Sequence, residues 1–370
     1  MPPEGESASS LLTRERILFL PAQAGDHPST TSRVTAYVAL LEARGWNCTV
    51  LEPTPAFMRP LERGRFAGRA AYFLVWLLRR IADLMSARRY DVIFVQRDFF
   101  PFSLGLLERA LLARHRAVVY DTDDALQVPQ PGRSTSVFQR LRPLAKYDEF
   151  TRGAAAVFVA SDELAKHVRE LNPDCEIFPM TIDIARYADA RTHRSRTGRV
   201  VVGWSGGKTG LRYLELMRDP LRAAVDAGPV IRVITGAPDA VPDLGVPVEI
   251  VRWTAEREAE DLVDLDVGLL PLTDTPFERG KFPYKAVHYG AAGLPIVASN
   301  VGYTTQIVRE GANGFLVAST PQWIDRLQQL IANTELRRTM GDEAARLAAA
   351  EYSARAYVDR FDSVLRRLIA

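Results

Sequence analysis

Short apolar runs alternate with longer amphipathic stretches along most of this chain. The first run, RILFL at Arg16–Leu20, has four apolar residues without a polar interruption, the pattern of a strand buried on both faces. A polar loop follows at 21–32, then an amphipathic helix at 33–44. The alternation predicts further strands at 47–51, 91–95, 117–120, 155–160 and 175–178. Between them fall helices at 61–88, 104–113 and 162–171, the last with Ser161 placed to cap its first turn. Strands joined through helices pair in parallel, and the helices cover both faces of the sheet.

The pattern lapses at 183–199 (DIARYADARTHRSRTGR), which is polar, basic and poor in large apolar groups, and reads as an interdomain linker. It restarts with strands at 199–203, 231–235, 248–251, 267–270 and 295–299, with helices at 211–218 and 283–292 among them. The ending is helical, at 321–332, 335–352 and 356–368. The expected fold class is α/β: two doubly wound, Rossmann-like parallel-sheet domains, at 16–182 and 200–352, facing across a cleft. Residues 1–15 read as a disordered leader. Open sheets of this kind bind ligands beyond the carboxyl ends of their strands.

Composition narrows the function. A hydrophobic content of 47% with 25% charged residues excludes a disordered or fibrous chain. Basic and acidic residues balance, 47 against 45, which argues against a nucleic-acid partner. Cys48 and Cys175 fit no metal-ligand spacing and suit a reducing compartment. No apolar run reaches 18 residues, and the opening stretch lacks a signal-peptide core, so a cytoplasmic location is expected. Only five of the basic residues are lysines: Lys146, Lys166, Lys208, Lys281 and Lys285. Where arginine is the default, a lysine suggests a point-charge contact that arginine would not make in the same way.

Five constellations carry candidate chemistry. Gly206, Gly207 and Lys208 follow a strand and precede a helix, where glycine amides can approach an anion, although a tight turn with a solvated lysine reads equally well. Gly280, Lys281, Phe282, Pro283 and Lys285 lead into a short helix that ends at Gly293. Two lysines at a helix start oppose the macrodipole, a cost that an anionic ligand removes. Asp121, Asp123 and Asp124 crowd one strand end and need solvent, hydrogen bonds or a cation, and Arg97 follows a neighbouring strand. They could bind sugar hydroxyls or cap the next segment, and no metal is expected there. Gly25, His27 and Arg33 belong to the loop after the first strand and to its exit. Last, 59–89 interleaves arginines with aromatic and aliphatic residues, the pattern of a core helix with a solvated arginine face or of a membrane-surface helix.

The stretch 279–299, R-G-K-x-x-x-K-x-x-x-Y-x-A-A-G-x-P-I-V-A-S, followed by Gly302 and by EGANGFLV at 310–317, resembles the donor region of GT-B glycosyltransferases, most closely family 4, the group 1 type. VGWSG at 202–206, PMTID at 179–183, YDVIFVQR at 90–97 and YDTDDA at 120–125 extend the resemblance over about residues 16–365. It implies a retaining glycosyltransferase without an obligatory metal or cofactor, moving a sugar from a nucleotide-diphosphate sugar to a hydroxyl or amine of a glycan, lipid or natural product. The second domain would hold the donor through Gly206, Gly207, Lys208, Gly280, Lys281, Phe282, Pro283, Lys285 and His288. The first would hold the acceptor through Gly25, His27, Arg33, Arg97, Asp121 and Asp124. Lys285, Lys281 and Asp123 are the expected catalytic groups, with a peripheral membrane contact through 59–89. The segment 353–370 would cross back onto the first domain. Most relatives carry a Glu-x7-Glu pair here, and this chain has Gly280 and His288 in those places. A sugar-nucleotide epimerase or an inactive nucleotide-sugar-binding protein on the same scaffold is the alternative.

Overall fold

The computed structural model describes residues 14–25, 27–62, 64–124, 126, 144–194 and 198–370. Almost all of the expected leader lies outside the described residues, as do Asp26, Arg63 and Ala125. Two six-stranded parallel sheets form the core. The first comprises β1 (Arg16–Leu20), β2 (Asn47–Val50), β3 (Val92–Gln96), β4 (Val118–Thr122), β5 (Ala156–Val159) and β6 (Cys175–Ile177), in the order β2-β1-β3-β4-β5-β6. The second comprises β7 (Val201–Ser205), β8 (Val230–Thr235), β9 (Glu249–Arg252), β10 (Val267–Leu270), β11 (Ile296–Ser299) and β12 (Gly314–Val317), in the order β12-β11-β10-β7-β8-β9. The central strands are buried throughout, which explains their uninterrupted apolar sequences.

Strand order reverses between β1 and β3 in one sheet and between β7 and β10 in the other. At such a switch point neighbouring strands send their connections to opposite faces, which opens a crevice at the carboxyl ends. In the second sheet a tyrosine fills the base of that crevice. The Tyr289 hydroxyl accepts from the Ser205 amide at 2.9 Å and donates to the Leu269 carbonyl at 3.1 Å, joining β7 to β10 where their ladder ends. Gly268 makes room for it, because a Cβ there would lie 2.6 Å from the Tyr289 ring.

The 183–199 stretch, expected as the interdomain linker, contains a helix. Asp183 caps a helix at Ile184–Thr192, whose Tyr187 and Ala190 are buried against the helices Glu258–Val263 and Tyr284–Ala291. Its polar composition belongs to the outward face, and short helices disguise one buried face easily. Residues 195–197 lie outside the described residues. The helix expected at 211–218 is instead a 3₁₀ segment, Lys208–Met217, continuing into an α-helix at Arg218–Val225. Pro220 suits the first turn of that α-helix, where its missing amide costs nothing.

The chain crosses between domains twice. On the way out, Ile182 donates its amide to the Tyr352 carbonyl of the returning strand of chain at 2.8 Å. The last helix, Ala354–Ile369, then packs on the first sheet. Phe361 sits among Tyr37, Phe158, Phe94 and Phe178, with ring centroids 4.8, 5.0, 5.5 and 5.5 Å away. Trp46 Nε1 donates to Asp362 at 2.6 Å, closing the far end.

Candidate active site

A cavity of 870 Å³ lies at the switch point of the second sheet. Its floor and walls are the β7 loop with Gly206, Gly207 and Lys208, the start of the Tyr284–Ala291 helix with Lys285 and His288, and Trp253 and Glu258 beyond β9. His27 and Pro28 from the first domain close it from across the cleft. His27, Pro28 and Trp253 also line a second cavity of 610 Å³ in the first domain, between Arg97 and the aromatic side chains Tyr72, Phe73 and Trp76.

Lys285 dominates the larger cavity. Its Nζ lies 4.8 Å from the Trp204 ring centroid, and no carboxylate pairs with it among the described residues. Burial, with Lys281 nearby as a second positive charge, pushes the ammonium down to about 7. Gly206 is what lets the side chain through, since a Cβ there would lie 2.4 Å from Lys285 Cε. The Gly206 amide is already spent on the Ile234 carbonyl at 3.0 Å. The glycine therefore serves as a passage for lysine rather than as an anion-binding amide. Lys208 lines the same cavity from its exposed rim.

His288 and Glu258 form the opposite wall. His288 Nδ1 lies 2.6 Å from the Tyr187 hydroxyl and 3.7 Å from Glu258 Oε2, while Glu258 Oε1 accepts from Trp253 Nε1 at 2.9 Å. Burial lowers the His288 pKa, favouring a neutral ring. Glu258 escaped the sequence reading. The available signal was its place, six residues past a strand end with a tryptophan between, on the half of the sheet beside the switch point. It puts a carboxylate into the cavity from a different element than the motif position now held by His288.

Other expected residues sit elsewhere. Phe282 is buried in an aromatic cluster, its centroid 5.1 Å from Tyr303 and 6.3 Å from Tyr352. Gly280 and Pro283 are buried, and Lys281 ends the Pro276–Gly280 helix outside the cavity lining, acting on Lys285 only through charge. Gly25 gives its amide to Glu52 at 2.8 Å and lines neither cavity.

The first-domain carboxylates are framework. Arg33 is buried, forks onto Asp121 and reaches the Phe178 carbonyl, and neither Arg33 nor Asp121 lines either of these two cavities. Asp123 accepts from Ser29 at 2.5 Å and pairs with Arg97 at 3.0 Å. Burial alone would push Asp123 up, but Arg97 and Ser29 hold it below the ordinary carboxylate range. It therefore holds the Ser29 and Arg97 segments together and is not a free base. Asp124 pairs with the other nitrogen of Arg97 at 2.9 Å. Arg97 has φ 62°, a conformation non-glycine residues rarely adopt, and the two ion pairs hold it there beside the 610 Å³ cavity. Lys146, another of the rare lysines, is buried between Asp98 and Glu108 at 3.1 and 3.4 Å and is structural. Among the described residues no group of His, Cys, Asp and Glu is placed to hold a metal ion.

Two facing doubly wound domains with the cavity between their strand ends define the GT-B fold. Residues 220–333 match the family described as glycosyl transferases group 1. Over 259 residues, 67% of this chain, it is 26% identical to a D-inositol 3-phosphate glycosyltransferase of Nocardioides sp., of which the match spans 50%. Among solved structures it is similar to Anabaena HepE in complex with UDP-glucose, at 18% identity and a TM-score of 0.67, over 95% of this chain and 99% of that one. A sucrose-phosphate synthase of Thermosynechococcus elongatus superposes with a TM-score of 0.69 at 16% identity, over 96% and 99%.

Proposed function

We propose that this protein is a retaining glycosyltransferase using a nucleotide-diphosphate sugar. The observation that carries the proposal is Lys285, a partly buried ammonium without a carboxylate partner among the described residues, directed into a cavity large enough for such a donor. An unpaired cation in a low-dielectric site favours an anion, and a diphosphate supplies it. The UDP-glucose complex of a protein with this fold supports the donor class.

The chemistry follows from charge. The bond between the anomeric carbon and the β-phosphate oxygen breaks, and its electron pair stays on the diphosphate. Lys285 stabilises that developing charge. The acceptor hydroxyl or amine forms the new bond on the face the diphosphate leaves, and its proton passes to a departing phosphate oxygen. His288, held through Nδ1 by Tyr187, and Glu258 face the ribose hydroxyls. The 610 Å³ cavity beside Arg97 and His27 receives the acceptor. The test is a screen of UDP-, GDP-, ADP- and TDP-sugars for hydrolysis or transfer, with anomeric configuration read by NMR. Retention in wild type, with turnover lost about a hundredfold or more in Lys285→Ala, supports the reading. Inversion, or full turnover in a folded Lys285→Ala protein, refutes it.

A further inference from the structure

We propose that Tyr187 is a positioning residue that fixes the ring proton of His288 on Nε2. The 870 Å³ cavity then offers its ligand a neutral N–H and asks of it an oxygen lone pair, not a hydroxyl proton. The choice of ring nitrogen stands on the protein alone; the ligand half rests on the nucleotide-sugar reading.

Donors and acceptors decide the ring nitrogen. The Tyr187 hydroxyl is buried, and His288 Nδ1, at 2.6 Å, is its one hydrogen-bond partner among the described residues. Burial holds this phenol well above its ordinary range, so it keeps a proton to donate. A neutral imidazole carries one N–H and one lone pair. With the N–H on Nδ1, two donors would face each other and the phenol proton would be buried without an acceptor, which costs its full desolvation. With the lone pair on Nδ1, Tyr187 donates into it and the ring proton sits on Nε2. Glu258 Oε2, 3.7 Å from Nδ1, favours a proton there by its charge but is too far away to accept it.

The ring is also clamped against turning. Tyr284 meets it edge-on, with centroids 4.3 Å apart at 77°, and Tyr187 does so at 5.9 Å and 74°. The Tyr284 hydroxyl is itself anchored, donating to the Thr181 carbonyl at 2.8 Å.

The cavities show which way each nitrogen points. Tyr187 and His288 both line a third cavity, of 510 Å³, between the Ile184–Thr192 helix and the first domain, whereas Tyr187 takes no part in the 870 Å³ cavity. Nδ1 thus faces away from Lys285. Nε2, on the other side of the ring, opens on the larger cavity and has no hydrogen-bond partner among the described residues. His288 follows Lys285 by three residues on one side of the same helix. A ligand oxygen beside the ammonium therefore has an N–H donor one turn further on. Such a donor serves a hydroxyl, ether or phosphoryl oxygen alike, where a carboxylate would demand a hydroxyl proton.

The test begins with the ligand-free protein at pH 8. Long-range proton–nitrogen NMR, with the His288 signals assigned by their loss in His288→Gln, reads which ring nitrogen is protonated. Wild type should show Nε2, and Tyr187→Phe should move part of that population to Nδ1. Calorimetry with UDP, GDP, ADP and TDP then measures binding. Tyr187→Phe should weaken the tightest binder about fivefold or more in the wild-type background, and less than about twofold in His288→Gln, whose amide N–H needs no tautomer. A wild-type proton on Nδ1, or an unchanged tautomer in Tyr187→Phe, overturns the proposal. So does an equal loss of affinity in both backgrounds, the result a merely structural tyrosine would give. A wild-type protein with its proton on Nε2 that binds none of the four nucleotides refutes the nucleotide-sugar reading and the ligand half of the proposal, and bears out the Tyr187–His288 half.

Discussion

UDP binding should take up a proton, because Lys285 is mostly neutral in the free protein at pH 8. Burial and Lys281 bring its ammonium from the ordinary 10.5 down to about 7. A diphosphate against Nζ favours the charged form and moves the pKa back up. Above pH 7 the free protein must therefore acquire a proton to bind, and affinity falls up to about tenfold, or ~1.4 kcal/mol, for each pH unit until the bound-state value is reached. The same shift has the opposite sign for folding. The unfolded chain holds this proton up to about 10.5 and the folded chain only to about 7, so between those values the Lys285 contribution to stability rises with pH. Titration calorimetry at pH 8 in buffers of different ionisation enthalpy measures the uptake directly. About 0.9 proton per UDP is expected for wild type and close to zero for Lys285→Met. The Lys285→Met protein should also be the more stable of the two at pH 7 without ligand. Tight UDP binding at pH 8 with no proton uptake, or uptake that persists in Lys285→Met, would refute this account of the cavity.

Three further outcomes follow from the geometry. Gly206→Ala should push Lys285 aside and press on the buried Trp204 ring, since its new methyl meets Lys285 Cε at 2.4 Å and Trp204 at 2.7 Å; UDP affinity measured by calorimetry should fall about tenfold or more, and the melting temperature should fall with it. Glu258→Gln should raise the donor KM while leaving kcat within a few-fold, because the proposed reading gives Glu258 a ground-state contact to the ribose; a kcat loss of about a thousandfold at unchanged KM would place Glu258 in the chemistry instead. Asp121→Asn should destabilise the fold by about 3–5 kcal/mol in urea titrations, because it leaves the Arg33 guanidinium buried without its counter-charge.

The strands were legible because burial on both faces writes an unbroken apolar run, and most of the expected strand bounds fall within two residues of the observed ones. β12 (GFLV) carries such a run too, but its turn-rich approach through EGAN drew the reading to a motif rather than to a strand. The helix at Ile184–Thr192 stayed hidden because its buried face is only Tyr187 and Ala190. Within the site, Lys285 stood out as a rare lysine at a helix start. What it lacked in the sequence was Gly206, a passage set by a contact between residues 79 positions apart in a different role than the one expected of glycine. The pairing of Arg33 with Asp121 is a product of tertiary assembly; nothing local marks a carboxylate that will meet its arginine 88 residues away.

The return of the last helix to the first sheet makes that domain discontinuous, with consequences for the order in which the molecule is completed. A ribosome that has released residues 16–182 has made a sheet with an open slot where Phe361 belongs, flanked by Tyr37, Phe94, Phe158 and Phe178. The second domain is a contiguous stretch of chain, and all six of its strands, β7–β12, with their crossovers are in place before Tyr352 is passed. The first domain to begin is thus the last to close, and it closes only when residues from the far end of the chain arrive. Cutting the protein at the apparent domain boundary would separate the first sheet from part of its own core, so the two halves are not interchangeable modules even though each carries a full Rossmann-like sheet.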